Sequence, residues 1–199
     1  MCLIIHKPKG VKACLELLHS ASEYNPHGYG LMALTGPQKI SVLKQTSTNF
    51  DDLRRAYLSV AKYECVIHLR LRTKGHVTRT NTHPFQVTQS IFMAHNGTLN
   101  IHCRLPSRSD SWHMVNDYLQ PLLQKTPRRL HDKAFQEHLE AKIGPHNRMV
   151  FMDAQYKKTV FINKQLGIEY GDLWLSNTKW FDSASFGLSN QSDPDQLPS

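Results

Sequence analysis

The stretch Cys65–Gly97, CVIHLRLRTKGHVTRTNTHPFQVTQSIFMAHNG, sets two short apolar strands on either side of a long polar loop. Val66, Ile67, Leu69 and Leu71 mark Cys65–Leu71 as the first strand, and Ile91–Ala94 reads as a second, buried one. Residues 72–90 lack periodicity and are rich in Thr, His and Asn. A loop of that length inside a compact domain is usually functional or disordered. Both strands also end in polar residues unlike core material: Arg70, Arg72, Thr73 and Lys74 at the first, His95-Asn96-Gly97 at the second.

The flanking sequence fixes the kind of sheet these strands join. Residues 2–6 read as a buried strand, and Val11–Glu23 places Cys14, Leu15, Leu17 and Leu18 on one stripe of a short helix. The turn Asn25–Gly30 feeds a strand Leu31–Leu34, and Gly36-Pro37 turns it into Ile40–Leu43, a hairpin. Phe50 to about Tyr63 is a helix with Asp51 and Asp52 in its first turn, where the helix dipole favours acids. Ser109-Asp110 caps a helix to about Lys125, with Trp112, Val115, Leu119 and Leu122 or Leu123 on its buried face. A helix Leu130–Ile143, strands Arg148–Asp153 and Thr159–Asn163, and a last strand Leu173–Ser176 complete the order. Hairpin-length connections among the strands predict an α+β fold of antiparallel sheets with helices packed in layers, not a doubly wound parallel sheet. One domain is expected over residues 1–182, followed by a polar, frayed tail at 183–199.

Composition narrows the function classes. The 199 residues carry 24 Lys and Arg against 16 Asp and Glu, a formal net charge of +8. The cations are dispersed and no nucleic-acid module is recognisable, so a solvated, mildly positive surface is favoured over nucleic-acid binding. No apolar stretch approaches the roughly 20 residues of a membrane span, and no signal peptide precedes the first strand. Cys2, Cys14, Cys65 and Cys103 form no CxxC pair, which predicts free thiols and a cytoplasmic setting. Twelve histidines invite a metal reading, but His76, His83, His95 and Cys103 lack ligand-like spacing. Neither a metal nor a cofactor is expected.

Cys2 follows Met1, and a methionine before so small a residue is a candidate for removal. Cys2 would then carry a thiol and a free α-amine, a nucleophile paired with its own base. Reference pKa values of roughly 7.7–8.0 for the amine and about 8.5 for the thiol suit the amine to take the proton.

Five motifs stand in order: Met1-Cys2, the strand end Arg70–Gly75, Asn81-Thr82-His83-Pro84, His95-Asn96-Gly97, and the helix start Ser107–Ser111. With the Asn25–Gly30 turn they resemble the class II glutamine amidotransferase domain of the N-terminal-nucleophile hydrolases, over residues 2 to about 111. The resemblance implies a four-layer αββα sandwich and hydrolysis of the γ-amide of glutamine. It implies that Cys2 attacks the amide carbon to give a thioester and ammonia, with Asn96 and Gly97 forming the oxyanion hole. Arg70 would hold the substrate α-carboxylate and Asp110 its α-ammonium, while Thr73 and His83 line or support the pocket. Leu71, Arg72 and Lys74 depart from the family's pattern beside the substrate.

Taken singly, each residue has a plainer reading. Arg70 and Arg72 share a strand face and could be surface charges, Asp110 could be only a helix cap, Asn96-Gly97 a turn, and His83 and His95 structural. Roughly 90 residues follow Asp110, enough to finish the sandwich, so the ammonia acceptor is expected to be a separate synthase. Two other functions stay open: a stand-alone hydrolase of larger γ-glutamyl amides, motivated by Leu71 and Arg72, and a non-catalytic basic binding protein that retains the fold.

Overall fold

The computed structural model describes residues 2–188. In chain order the strands are β1 (Leu3–Lys7), β2 (Tyr29–Gly36), β3 (Lys39–Gln45), β4 (Cys65–Leu69) and β5 (Phe85–Gln86). They continue with β6 (Ile91–Asn96), β7 (Arg148–Asp153), β8 (Lys158–Ile162), β9 (Ile168–Tyr170) and β10 (Leu173–Leu175). The helices are α1 (Leu15–Tyr24), α2 (Phe50–Val60), α3 (Asp110–His113), α4 (Gln120–Leu123) and α5 (Lys133–Ile143).

One sheet has six strands in the order β3-β2-β4-β1-β10-β9, and the other has four in the order β5-β6-β7-β8. Every neighbouring pair is antiparallel. Alternation along each strand decides which layer a side chain enters. Leu3, Ile5, Leu31, Ile67 and Leu69 face α1 and α2, meeting Leu17, Leu18, Leu53 and Tyr57. Their sequence neighbours Ile4, Met32, Val66 and Trp174 face the other way and meet Ala94, Val150 and Met152 of the second sheet. The far side of that sheet, with Ile91, Met93, Met149 and Phe151, packs on Val115, Leu119, Leu123, Phe135 and Leu139. The result is the four-layer αββα sandwich. Strands buried on both faces read as unbroken apolar runs even though the sheet is antiparallel.

Several expected boundaries shift. β4 stops at Leu69, so Arg70–Arg72 are not strand, and Arg70 is buried while Arg72 is exposed. The two arginines do not share a face. Helix α1 starts at Leu15, not Val11. The reason is local: the Lys7 ammonium takes the Val11 carbonyl at 2.8 Å, and Ala13 N–H donates to the Tyr57 hydroxyl at 2.8 Å. Both groups are thereby drawn out of a helical ladder. The helix expected from Asp110 is interrupted by a π-helical stretch, Met114–Leu119, between α3 and α4. Of the expected tail, Ala184–Phe186 form a 3-10 turn whose Phe186 ring lies 5.9 Å from Phe181. Residues 189–199 lie outside the described residues.

One close approach ties the long loop to the six-stranded sheet. A Cβ on Gly30 of β2 would fall 1.8 Å from the His83 carbonyl oxygen, so only glycine lets the His83-Pro84 turn lie on that strand.

Candidate active site

Cys2 immediately precedes the central strand β1 and is 9 % exposed. Its backbone is held on both sides: Cys2 N–H donates to Asn96 Oδ1 at 3.0 Å, and its carbonyl accepts from Asn177 Nδ2 at 2.9 Å. The thiol points at the Leu71 carbonyl, 3.6 Å away. Burial raises its pKa, and the Leu71 contact only partly opposes this. The resting sulfur is therefore a thiol that needs a base.

Asn96 is the last residue of β6 and is itself anchored, its Nδ2 donating to Ser176 Oγ at 3.0 Å. The same hydroxyl accepts from Ile4 N–H at 2.9 Å. Gly97 follows at φ +132°, and a Cβ there would sit 2.2 Å from Asn147 Oδ1. Asn147 in turn receives His95 Nε2 at 2.9 Å, and His95 Nδ1 lies 2.8 Å from the Ser111 hydroxyl. Burial lowers the His95 pKa, so the ring is neutral and links β6 to the start of α3.

Arg70 is 3 % exposed. Its Nη2 donates to the carbonyls of Lys74 (3.4 Å) and His76 (3.2 Å), which curls residues 70–76 around the guanidinium. Its Nη1 is buried without a partner. A buried, unanswered charged donor costs a protein stability, so its persistence calls for a reason. Asp110 is 4 % exposed. Its Oδ2 accepts from Leu99 N–H at 2.7 Å and its Oδ1 from Ser111 N–H at 2.8 Å. Ser109, not Asp110, is the helix cap, its Oγ accepting from Trp112 N–H at 3.1 Å.

His83 is buried with neither ring nitrogen bonded, its ring 4.0 Å from that of His68. Burial first, then neighbouring histidines and cations, hold His83 well below the ordinary imidazole range, and burial pushes His68 down to about 3. These rings stay neutral beside Arg70. Thr73 is exposed, its hydroxyl 3.4 Å from that of Thr98.

A single cleft is lined by Cys2, Arg70, Thr73, His83, Gly97 and Asp110 together. Its volume is about 20 Å³, room for about one water. Cavities of about 520 Å³ and 560 Å³ lie elsewhere and share none of these residues. The convergence of a thiol, a guanidinium and a carboxylate, not volume, marks this cleft as the candidate site. Among the described residues no group of three or more His, Cys, Asp or Glu is placed to hold a metal, and no helix is long and apolar enough to cross a membrane.

Sequence reasoning missed Ser176, Asn177 and Asn147. Each acts through a partner at least 52 residues away, for example Asn147 on His95. Local pattern carries no trace of such pairing.

Residues 14–155, more than half of the chain, match the family described as glutamine amidotransferases class-II. Cys2 lies outside the matched segment, which makes its position in the cleft independent support. Among solved structures, the chain is similar to the glutamine phosphoribosylpyrophosphate amidotransferase of B. subtilis. The TM-score is 0.51 at 15 % identity over 93 % of this chain and 44 % of that one. It is also similar to the allosteric regulatory enzyme of purine biosynthesis, with TM-score 0.52 at 18 % identity, over 92 % and 43 %. At such identities the likeness shows the fold, and the chain spans less than half of either neighbour. No curated protein matches the sequence. The family match, with the αββα fold of N-terminal-nucleophile type around it, shows that this chain belongs to the class II glutamine amidotransferases, a family of enzymes.

Proposed function

We propose that Cys2, freed of Met1, hydrolyses the γ-amide of L-glutamine and that the ammonia passes to a synthase on another chain. One observation carries the reading: an unpartnered Arg70 nitrogen and the Asp110 carboxylate line the cleft that holds Cys2. A cation and an anion beside a nucleophile match the carboxylate and ammonium of a zwitterionic amino acid.

In the first half-reaction the α-amine takes the thiol proton while sulfur bonds to the amide carbon. Charge then develops on the amide oxygen, and Gly97 N–H with the Asn96 amide stabilises it. Donors of this kind are worth about 10²–10³ in rate each. In this structure the Asn96 Nδ2 points to Ser176 Oγ, so the substrate oxygen competes with that hydroxyl for it. Collapse of the adduct breaks the carbon–nitrogen bond, and the α-amine hands its proton to the departing nitrogen, giving ammonia. Water then attacks the thioester and releases glutamate and the thiol. Leu71, Arg72, Thr73 and Lys74 wall one side of this cleft beside Arg70.

The decisive measurement is intact mass with peptide mapping before and after treatment with diazo-oxo-norleucine, alongside glutamate release from glutamine. A chain lacking Met1 with one adduct on Cys2 supports the reading. A processed chain that neither takes the label nor releases glutamate rejects it.

A further inference from the structure

A separate cavity of about 440 Å³ opens between β3 and α2, lined by Leu43, Lys44, Asp52, Arg55, Ala56 and Arg79. That volume falls within the range of small-molecule sites, roughly 300–1,000 Å³. Three of its lining residues are cations, and only Arg55 is answered, by Asp52. Among the described residues neither Lys44 nor Arg79 forms an ion pair with a carboxylate. Lys44 is half-buried, and its ammonium lies 5.4 Å from the centroid of the Phe85 ring. Burial and the nearby Arg79 charge depress its pKa to about 8. With Asp52 answering Arg55, Lys44 and Arg79 leave the cavity with an excess of positive charge that an anion would offset.

We propose that this cavity binds a small phosphate monoester, its dianion drawn by Lys44 and Arg79 at the rim and its organic body lying along α2 at Ala56. Charge selects the anion. A phosphate monoester carries about −1.5 to −2 at pH 7 and offers three acceptor oxygens, so it answers both cations, whereas a carboxylate leaves one unmatched. Geometry agrees, since a guanidinium fork and an ammonium are the two side chains that suit phosphate oxygens. The cavity is also several times larger than a bare phosphate, and its apolar wall gives the remainder of the ligand a surface. None of these residues belongs to the catalytic cleft.

Isothermal titration of the full chain with phenyl phosphate and glycerol 3-phosphate tests this, with benzoate, glycerate and inorganic phosphate as controls. At least one ester should bind about tenfold more tightly than its matching carboxylate and than inorganic phosphate. Lys44→Gln and Arg79→Gln should each weaken it about tenfold, the scale of one lost charged hydrogen bond. Lys44→Arg should retain it, and so should Cys2→Ala, which separates this result from the fate of the glutamine reading. Absence of binding by both esters, equal affinity for esters and carboxylates, or indifference to both glutamine substitutions overturns the proposal. Binding of inorganic phosphate as tight as the esters overturns the organic part of it.

Discussion

Lys7 and Arg70 are both buried cations of the six-stranded sheet region, and the protein treats them in opposite ways. Lys7 is 0 % exposed, and its ammonium donates to three carbonyls, those of Pro8, Val11 and Ala61, at 2.8–2.9 Å. Every donor proton has an acceptor, and the residue stitches the end of β1 to the segment beyond α2. Arg70 uses one nitrogen in the same manner and leaves the other buried and unbonded. A satisfied buried charge holds structure together. An unsatisfied one, set in the same cleft as the Cys2 thiol, leaves a donor open to an anion from outside.

The largest effect expected from this contrast is on catalysis. Arg70→Gln should lower kcat/KM for glutamine by about 10²–10³, roughly 3–4 kcal/mol of transition-state binding. Its urea midpoint should stay near wild type, because removing the unanswered buried donor offsets the two long bonds lost to Lys74 and His76. A variant that unfolds easily while keeping its turnover would invert the assignment. Lys7→Met should do the reverse, leaving three part-buried carbonyls without this donor at a cost of about 2–4 kcal/mol of stability. Turnover per folded molecule should be unchanged, which activity corrected for the folded fraction will show.

The neutral histidines extend the comparison to pH. The folded pKa of His68 is about 3, below the ordinary 6.5, and burial lowers His83 and His95 as well. Between pH 6.5 and 3 the unfolded chain therefore binds more protons than the folded one. The stability from these rings is whole above pH 6.5 and drains away as the pH falls toward 3. A loss on the order of 3 kcal/mol by pH 4 is expected from His68 alone in urea titrations, with a shallower slope in His68→Phe. An equally steep slope in that variant would assign the acid sensitivity elsewhere. The smallest effect belongs to an exposed cation. Lys133 pairs with Glu137 at 3.4 Å with both side chains well exposed, so Lys133→Ala should change stability by no more than about 0.5 kcal/mol.

The same contrast explains what could be read from sequence. Runs such as Leu3-Ile4-Ile5 and Val150-Phe151-Met152 announce strands because both their faces are buried, and burial on two faces leaves a compositional mark. β5 and β9, of two and three residues, are held by pairing with β6 and β10, and their composition says nothing. At the site, the motif residues Cys2, Arg70, Gly97 and Asp110 were legible by type and order. Their burial was not. Arg70 and Arg72 look alike in sequence, and only the end of β4 at Leu69 sends one inward and the other to solvent. Ser176 and Asn177 were invisible as site residues because a hydroxyl and an amide acquire their roles only from what folds against them.

Those two residues also set a timetable. β1 lies between β4 and β10, so the strand that follows Cys2 finds one neighbour some 60 residues later and the other some 170 residues later. Synthesis releases the N-terminal end first, yet Cys2 receives its Asn177 contact only after the chain has returned through β10. Closing so long a loop is slow compared with forming local structure. Of the contacts that fix Cys2, the one to its carbonyl is thus the last to become available in chain order, after those from β4 and Asn96.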